Sequence, residues 1–389
     1  MRYKVIRTFH AIGQGAFYSE RHNNFNIVYD CGATSTSYAK KVVQGAFNKN
    51  EDIDVLFISH FDFDHVSAIS TLNQTVRKIK RVVMPLLDEE HKNLLININR
   101  ALSQNIVKLI SDPQSFFGKD TDIIYVRPAN DEQSEPNNDF FFDLREIESP
   151  KDKNKRNIEI VSGSKLGFGG DIRWIFVPYN FLNVARSSQL EVALSNASFD
   201  VAKLKTDPFY TINQITTATQ RKELRKAYAK VDGNVNENSM LLYSGPESIN
   251  RDGKWCICDE CYDDCTWPQH CIYKVGCIYT GDCDLNKINL GIVYSDLDLN
   301  VGTIQIPHHG SKHNFSIQSL SDFWPHIFCP ISYGTKNNYG HPAAEVVNKL
   351  SQQGFRPILV NEQSSSEFEQ KFTILSKSAK LMKHKVGIF

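Results

Sequence analysis

Apolar and polar positions alternate along this chain in a way that predicts strands and helices in turn. Short continuous apolar runs read as buried strands. They are Asp54–Ser59 (DVLFIS), Arg81–Met84, Ser239–Tyr243, Gly276–Thr280, Gly302–Ile306, His326–Ser332 and Arg356–Val360. Apolar residues at three- and four-residue spacing predict helices over Ser37–Phe47, Val66–Leu72, Ala343–Gln352 and a long one over Glu89–Ile110. Val5–His10 and Phe25–Asp30 read as two strands joined through the turn Ile12-Gly13-Gln14-Gly15. Ile158–Ser162 and Asp171–Pro178 read as a strand pair around a glycine-rich turn. Between these elements, residues 129–157 are polar and proline-bearing and read as loops flanking the apolar stretch Phe140–Leu144. Residues 187–230 are helical and charged, long enough to form a cap inserted over a site, and no repeat of fixed period is visible.

Composition narrows the class without choosing a function. A chain of 389 residues with this alternation suits one large α/β domain with insertions. Lys+Arg and Asp+Glu are both 44, so no net charge draws the whole molecule to nucleic acid or membrane. The first apolar run, Tyr3–Phe9, is too short and too charged for a signal peptide, and no run is long enough to span a bilayer. These features predict a cytoplasmic protein, in which clustered cysteines read as metal ligands rather than disulfides. Of the nine cysteines, six lie between Cys256 and Cys277. Cys256, Cys258, Cys261, Cys265, His270 and Cys271 fall in an insertion, residues 250–276, with the Cys-x-x-Cys spacing of a zinc knuckle at Cys258 and Cys261. One structural Zn²⁺ would stabilise a segment too small for its own core; a reduced loop of free thiols is the alternative.

The densest chemistry follows the strand DVLFIS. His60-Phe61-Asp62-Phe63-Asp64-His65 delivers four metal-capable side chains in six residues at a strand end. A solvated acidic loop is the bland alternative; the interleaved aromatics directly after a buried strand argue against it. Three further stations stand at strand ends or a helix start: Gly281-Asp282, Pro307-His308-His309-Gly310-Ser311 and Gly340-His341-Pro342. Taken singly, each would pass for a turn, loop or capping residue. The basic run Arg221, Lys222, Arg225, Lys226 and Lys230 reads as a solvated helix face, or else as a phosphate-contacting surface.

In order along the chain, IGQG (12–15), YDCG (29–32), SHFDFDH (59–65), ENSMLLY (237–243), YTGD (279–282), IPHHGS (306–311) and ISYGTKNNYGHP (331–342) resemble the metallo-β-lactamase superfamily. More narrowly they resemble the hydrolase domain of the ComEC competence protein. The resemblance implies an αββα sandwich, here with a helical cap insertion and a small Cys-rich insertion. It implies two divalent ions, Zn²⁺ or Mn²⁺, held by His60, Asp62, Asp64, His65, Asp282 as the bridging carboxylate, and His308 or His309. Asp30 would orient the main loop from behind. Asp64 and His341 are the candidate catalytic residues, and Ser311 and Lys312 candidates for binding phosphate. The implied activity is a phosphodiesterase or nuclease acting on nucleic acid or a nucleotide. Hydrolysis of a small nucleotide signal or another ester, or a non-catalytic metal-binding module, are the alternatives. Stand-alone members of that branch resemble parts of bacterial multi-gene systems, phage (antiviral) defence among them, which implies a protein partner. The chain departs from the family pattern in three places. Asp62 replaces a histidine, no histidine occurs between His91 and His270, where Asn238-Ser239 takes the expected place, and Ala16 follows GQG instead of Asp. These changes make one ion position oxygen-rich and favour Mn²⁺ for turnover.

Overall fold

The computed structural model describes residues 2–102, 106–129, 141–144, 157–168, 173–182, 184–215, 217–229, 238–247, 255–258 and 274–376. The first part of the chain runs β1 (Arg2–Phe9), β2 (Gly15–His22), β3 (Phe25–Ala33), α1 (Thr36–Ala46), β4 (Asp52–Ile53) and β5 (Val55–Phe57). The short α2 (Phe63–Val66) and α3 (Ile69–Thr75) follow, then β6 (Lys78–Ile79) and β7 (Arg81–Pro85). Three helices, α4 (Glu89–Ala101), α5 (Val107–Ser111) and α6 (Pro113–Phe117), lead to β8 (Asp122–Val126). Next come β9 (Phe141–Asp143), β10 (Asn157–Ile160), β11 (Lys165–Phe168) and β12 (Trp174–Leu182). The helical insertion comprises α7 (Val184–Asn196), α8 (Val201–Thr206), α9 (Tyr210–Gln214) and α10 (Ala218–Ala229). The last part holds β13 (Asn238–Pro246), β14 (Trp255–Cys258), β15 (Gly276–Tyr279), α11 (Leu290–Val293), β16 (Val301–Ile304), β17 (Phe328–Ser332), α12 (Ala344–Gln352), β18 (Arg356–Val360) and β19 (Phe368–Ser376).

Two large sheets carry the fold. One has the order β10-β8-β7-β5-β3-β2-β1-β19-β14 and the other β18-β17-β16-β15-β13-β12-β11-β9, with β4 and β6 as a separate pair. Their inner faces meet through Phe9, Tyr18, Tyr29, Phe57, Phe176, Leu242 and Tyr279. Outside the first sheet, α1 and the helices after β5 cover Val28, Leu56 and Val82; outside the second, α12 and neighbouring loops cover Ile278, Ile304 and Ile331. This is the four-layer αββα sandwich of the metallo-β-lactamase fold. Each fully buried aliphatic or aromatic side chain contributes about 1.5–3 kcal/mol, so three such layers supply the stability that holds a polar site at their rim. Among the described residues no helix is long and apolar enough to cross a membrane.

Several expected elements need correction. The segment expected to turn directly into Phe25 forms β2, whose polar Ser19, Glu20 and His22 are buried rather than solvated. The reason is a network between the sheets. Glu20 accepts from Arg7 Nε at 2.7 Å, Ser244 Oγ at 2.7 Å and Tyr279 Oη at 2.9 Å, with His22 Nε2 at 2.9 Å. The long helix over Glu89–Ile110 is two helices, α4 and α5, which place Leu95, Ile96, Leu109 and Ile110 in one cluster. The strand at Ile158 does not pair with β12: β10 joins β8 in parallel in the other sheet, and β12 takes β11. An apolar run signals burial but not its partner. The closing strand β19 was not expected; it pairs with β1 from Arg2↔Leu375 to Phe9↔Phe368.

The helices over 184–229 pack Leu190, Leu194, Leu204 and Leu224 against Leu94 and Ile98 of α4. Arg221, Lys222 and Lys226 on α10 are exposed, and Lys226 meets Glu223 at 2.7 Å. Of the Cys-rich segment expected to be an insertion, the backbone of Trp255–Cys258 pairs antiparallel with β19. The proposed zinc ligands Cys261, Cys265, His270 and Cys271, and the side chains of Cys256 and Cys258, lie outside the described residues. Cys31 and Cys329 are buried free thiols of the core.

Candidate metal centre

Strand ends supply the site. β5 runs through Ile58 and Ser59 into the His60–His65 loop, β15 runs into Gly281-Asp282, and β16 runs into His308-His309. The loop is held down by its own aromatics: Phe61 is buried and Phe63 packs on the cluster under the first sheet. Asp62 stands at the N-cap of α2, yet its side chain makes no capping bond; its carbonyl accepts from His65 N at 2.9 Å instead. Its carboxylate lies 3.6 Å from His60 Nε2. Close backbone approach is required beneath this loop. A Cβ on Gly32 would stand 2.5 Å from Val66 N, and one on Gly15 2.8 Å from Asp64 O.

Asp282 lies between the two halves of the cluster. Its Oδ1 faces His65 Nε2 at 3.3 Å, while its Oδ2 faces His308 Nδ1 at 3.3 Å and His60 Nε2 at 3.8 Å. His309 Nε2 meets Asp64 Oδ2 at 3.1 Å. Ligand-capable atoms of His60, His65 and Asp282 lie within 4.8 Å of one another, as do those of Asp64, His65 and His309. Both adjacent histidines approach a carboxylate of the cluster, and of the two His309 belongs to a ligand group. Their backbone makes this possible: His308 and His309 both have positive φ (50° and 55°), as does Asp30 (54°). Such conformations cost non-glycine residues on the order of 1–3 kcal/mol each and collect where a structure needs them.

Hydrogen bonds behind the cluster set the tautomers. Asp30 accepts from Ser59 N at 2.7 Å, from Ser59 Oγ at 2.6 Å and from His65 Nδ1 at 2.8 Å. Ser59 has given its only proton to Asp30, so at 2.7 Å it accepts from His60 Nδ1. His309 Nδ1 donates to the Ser332 carbonyl at 2.8 Å. All three imidazoles therefore donate outward through Nδ1 and present Nε2 to the cluster, the arrangement that metal-binding histidines adopt.

Charges follow from burial and these neighbours. Burial opposes a charge on Asp282, but His308, His65 and His60 hold its carboxyl well below the ordinary range. Burial likewise opposes a proton on His65, yet Asp282 and Asp30 hold its imidazole well above its usual value. Burial, with His65 beside it, pushes His60 well below. Burial raises the Asp30 carboxyl despite its bonds to His65 and Ser59. Concentrated buried carboxylate favours a cation.

The donor set fits divalent ions on an observation of the structure. The buried His65 Nε2 has no well-aligned hydrogen-bond partner and faces a carboxylate oxygen at 3.3 Å. His60, Asp64, His65, Asp282 and His309 fall in the two ligand groups, and Asp62 and His308 stand beside them, 3.6 Å from His60 and 3.3 Å from Asp282; His341 is in neither group. It lines a neighbouring cavity with Lys312 and Tyr339. Sequence reasoning missed Ser59, Ser332 and Ser239. Ser239 stands where a histidine was expected, and its Oγ accepts from Asp282 N at 3.2 Å, steadying the backbone that carries the carboxylate. Ser59 adjoins His60 inside the motif, so its position was a usable signal.

Residues 16–146 match the family model described as Metallo-beta-lactamase superfamily, a span that holds His60–His65 but not Asp282, His308 or His309. No curated protein matches the chain. Among solved structures, the metallo-beta-lactamase fold protein YhfI from Bacillus subtilis aligns at 8% identity and TM-score 0.34, over 94% of this chain and 99% of its own. The short form of human tRNase Z aligns at 9% identity and TM-score 0.35, over 92% of each chain. Unliganded yeast PDE1 aligns at 9% identity and TM-score 0.38, over 96% of this chain and all of its own (100%).

Proposed function

We propose that the chain is a metal-dependent phosphodiesterase, acting on nucleic acid or a nucleotide. The observation that supports this most is the convergence of three outward-donating imidazoles and Asp282 on one rim of the sandwich. His60, Asp62, His308 and one oxygen of Asp282 would hold one divalent ion. Asp64, His65, His309 and the other oxygen of Asp282 would hold a second. When bound, such ions polarise a phosphoryl oxygen and bring the ionisation of water near neutrality.

The protein's own residues do the rest. Asp30 and Ser59 keep the Nε2 atoms of His65 and His60 directed at the cluster, so little reorganisation is needed when substrate arrives. Asp282 resists protonation because the surrounding histidines favour its charge, which keeps both its oxygens available as donors. His341, which lines the neighbouring cavity, would give a proton to the leaving oxygen. The carboxylate-rich donor set suits Mn²⁺ for turnover, although Zn²⁺ binds more tightly to most such sites.

The test is hydrolysis of bis(p-nitrophenyl) phosphate by chelator-treated protein reloaded with Mn²⁺ or Zn²⁺. Activity should return on reloading and be greater with Mn²⁺, and Asp282→Ala should lose it with either ion. Absence of hydrolysis with Mn²⁺, Zn²⁺ and Mg²⁺ alike would overturn the assignment. The alternative of a non-catalytic metal-binding module then remains, and metal content measured on the same samples identifies it.

A further inference from the structure

A cavity of about 400 Å³ opens beside the metal-ligand cluster, lined by Lys312, His313, Tyr339, His341 and Glu345 among others. Its lining segment is tied through the backbone to the loop that carries His309. Ala343 N donates to Gly310 O at 3.0 Å, one residue beyond His309, and Pro342 packs against Gly310. Its volume is near the low end of the roughly 300–1,000 Å³ of small-molecule sites, the scale of one nucleotide.

The rim of this cavity carries Tyr339. At 75% exposure it is the most exposed large hydrophobic side chain among the described residues. A single exposed ring needs no explanation in itself. This one, however, stands on a braced turn. Asn337 Nδ2 donates to the carbonyls of Gly334 and His341, each at 2.6 Å. Asn337 Oδ1 accepts from the amides of Tyr339 at 3.1 Å and His341 at 3.0 Å. The Tyr339 and His341 rings lie 5.7 Å apart and only 26° from parallel. Lys312 and His313 stand across the same cavity, exposed. The one carboxylate of the lining, Glu345, is engaged by Lys349 at 2.7 Å. A braced aromatic face with a cation, Lys312, beside it is the arrangement by which proteins hold single-stranded nucleic acid, because every base offers a π-face and every linkage a phosphate. Bases within a duplex are already stacked and cannot use such a platform.

We propose that this cavity seats one nucleotide of a single-stranded nucleic acid flanking the cleaved bond, with the Tyr339 ring under its base and Lys312 at its phosphate. The inference builds on the phosphodiesterase reading but is tested without catalysis. The experiment is fluorescence anisotropy in excess chelator, comparing a fluorescein-labelled single-stranded oligothymidylate with an abasic strand carrying the same phosphates. The wild-type protein should bind the base-bearing strand roughly five- to a hundred-fold more tightly, the range of one base–aromatic stack. Tyr339→Ala should abolish that preference while Tyr339→Phe keeps it, and Lys312→Ala should weaken both strands equally. Equal wild-type affinity for the two strands, no binding of either, or an undiminished preference in Tyr339→Ala would each overturn the inference. Failure of the phosphodiesterase reading shows instead as absent bis(p-nitrophenyl) phosphate hydrolysis with a normal base preference.

Discussion

The chain Asp30–Ser59–His60 decides the chemistry of the site at the scale of single residues. Imidazole binds a metal only through an unprotonated nitrogen, and which nitrogen is free depends on the partner of the other. Asp30 determines this for His65 directly and for His60 through the Ser59 hydroxyl. Ser59→Ala removes that acceptor and frees the His60 ring to turn over. Metal affinity should fall about 10–100-fold, as for other partners of ligating histidines, with little change in melting temperature of the metal-free protein. Isothermal titration with Mn²⁺ measures this. An unchanged affinity would mean that His60 is oriented by packing alone. Asp62 and His65 were legible from their spacing at a strand end. The position of Ser59 beside His60 was legible too; its role was not, because that role exists only once Asp30, distant in sequence, is folded against it.

At the scale of elements, the ligand loop is laid directly on the β2–β3 hairpin. Gly32 permits this, since a Cβ there would meet only backbone: Val66 N at 2.5 Å, His65 C at 2.6 Å and Asp64 C at 2.8 Å. Backbone cannot rotate away as a side chain can. Gly32→Ala should therefore destabilise the protein by about 1–3 kcal/mol, toward the upper end, and also loosen the ligand loop. Urea denaturation and metal titration should both respond; a normal urea midpoint together with normal metal binding would contradict this packing. The paired positive-φ histidines impose a similar demand after β16. Strain there is sustained because His309 Nδ1 is tied to Ser332 and the His308 amide donates to Asp282 at 3.2 Å.

For the whole molecule, the buried network between the sheets ties stability to pH. Burial by itself would raise the Glu20 carboxyl, but Arg7 and His22 more than offset this and hold it at about 2. Its folded value is thus below the unfolded one. The stabilisation from Glu20 is fully present above the unfolded carboxyl range, near pH 4.5, and is lost as pH falls toward about 2. His22 is pushed below its ordinary value by burial, so it acts in the same direction and begins to do so at higher pH, as the unfolded imidazole takes up its proton. Glu20→Gln should be less stable at neutral pH, because Arg7 is left buried beside a neutral partner. Its urea midpoint should nevertheless fall less steeply than that of the wild type between pH 5 and about pH 3. Parallel slopes for the two proteins would show that Glu20 does not carry the acid sensitivity.

By itself the amino-acid sequence determined the alternation of strands and helices, because continuous apolar runs and three-to-four spacing are local consequences of burial. It also determined that His60, Asp62, Asp64 and His65 would leave a buried strand together, because six consecutive residues cannot be far apart. It left unreadable the pairing of β10 with β8, the burial of β2 and the closing strand β19, since strand partners are chosen by contacts between distant segments. The tertiary structure alone decided that Asp282 divides its oxygens between the two groups of histidines and that both His308 and His309 approach the cluster. It decided too that His341 lines a cavity with Tyr339 and Lys312. Each depends on the separation and orientation of strand ends, and these are set by how the two sheets pack rather than by any local run of residues.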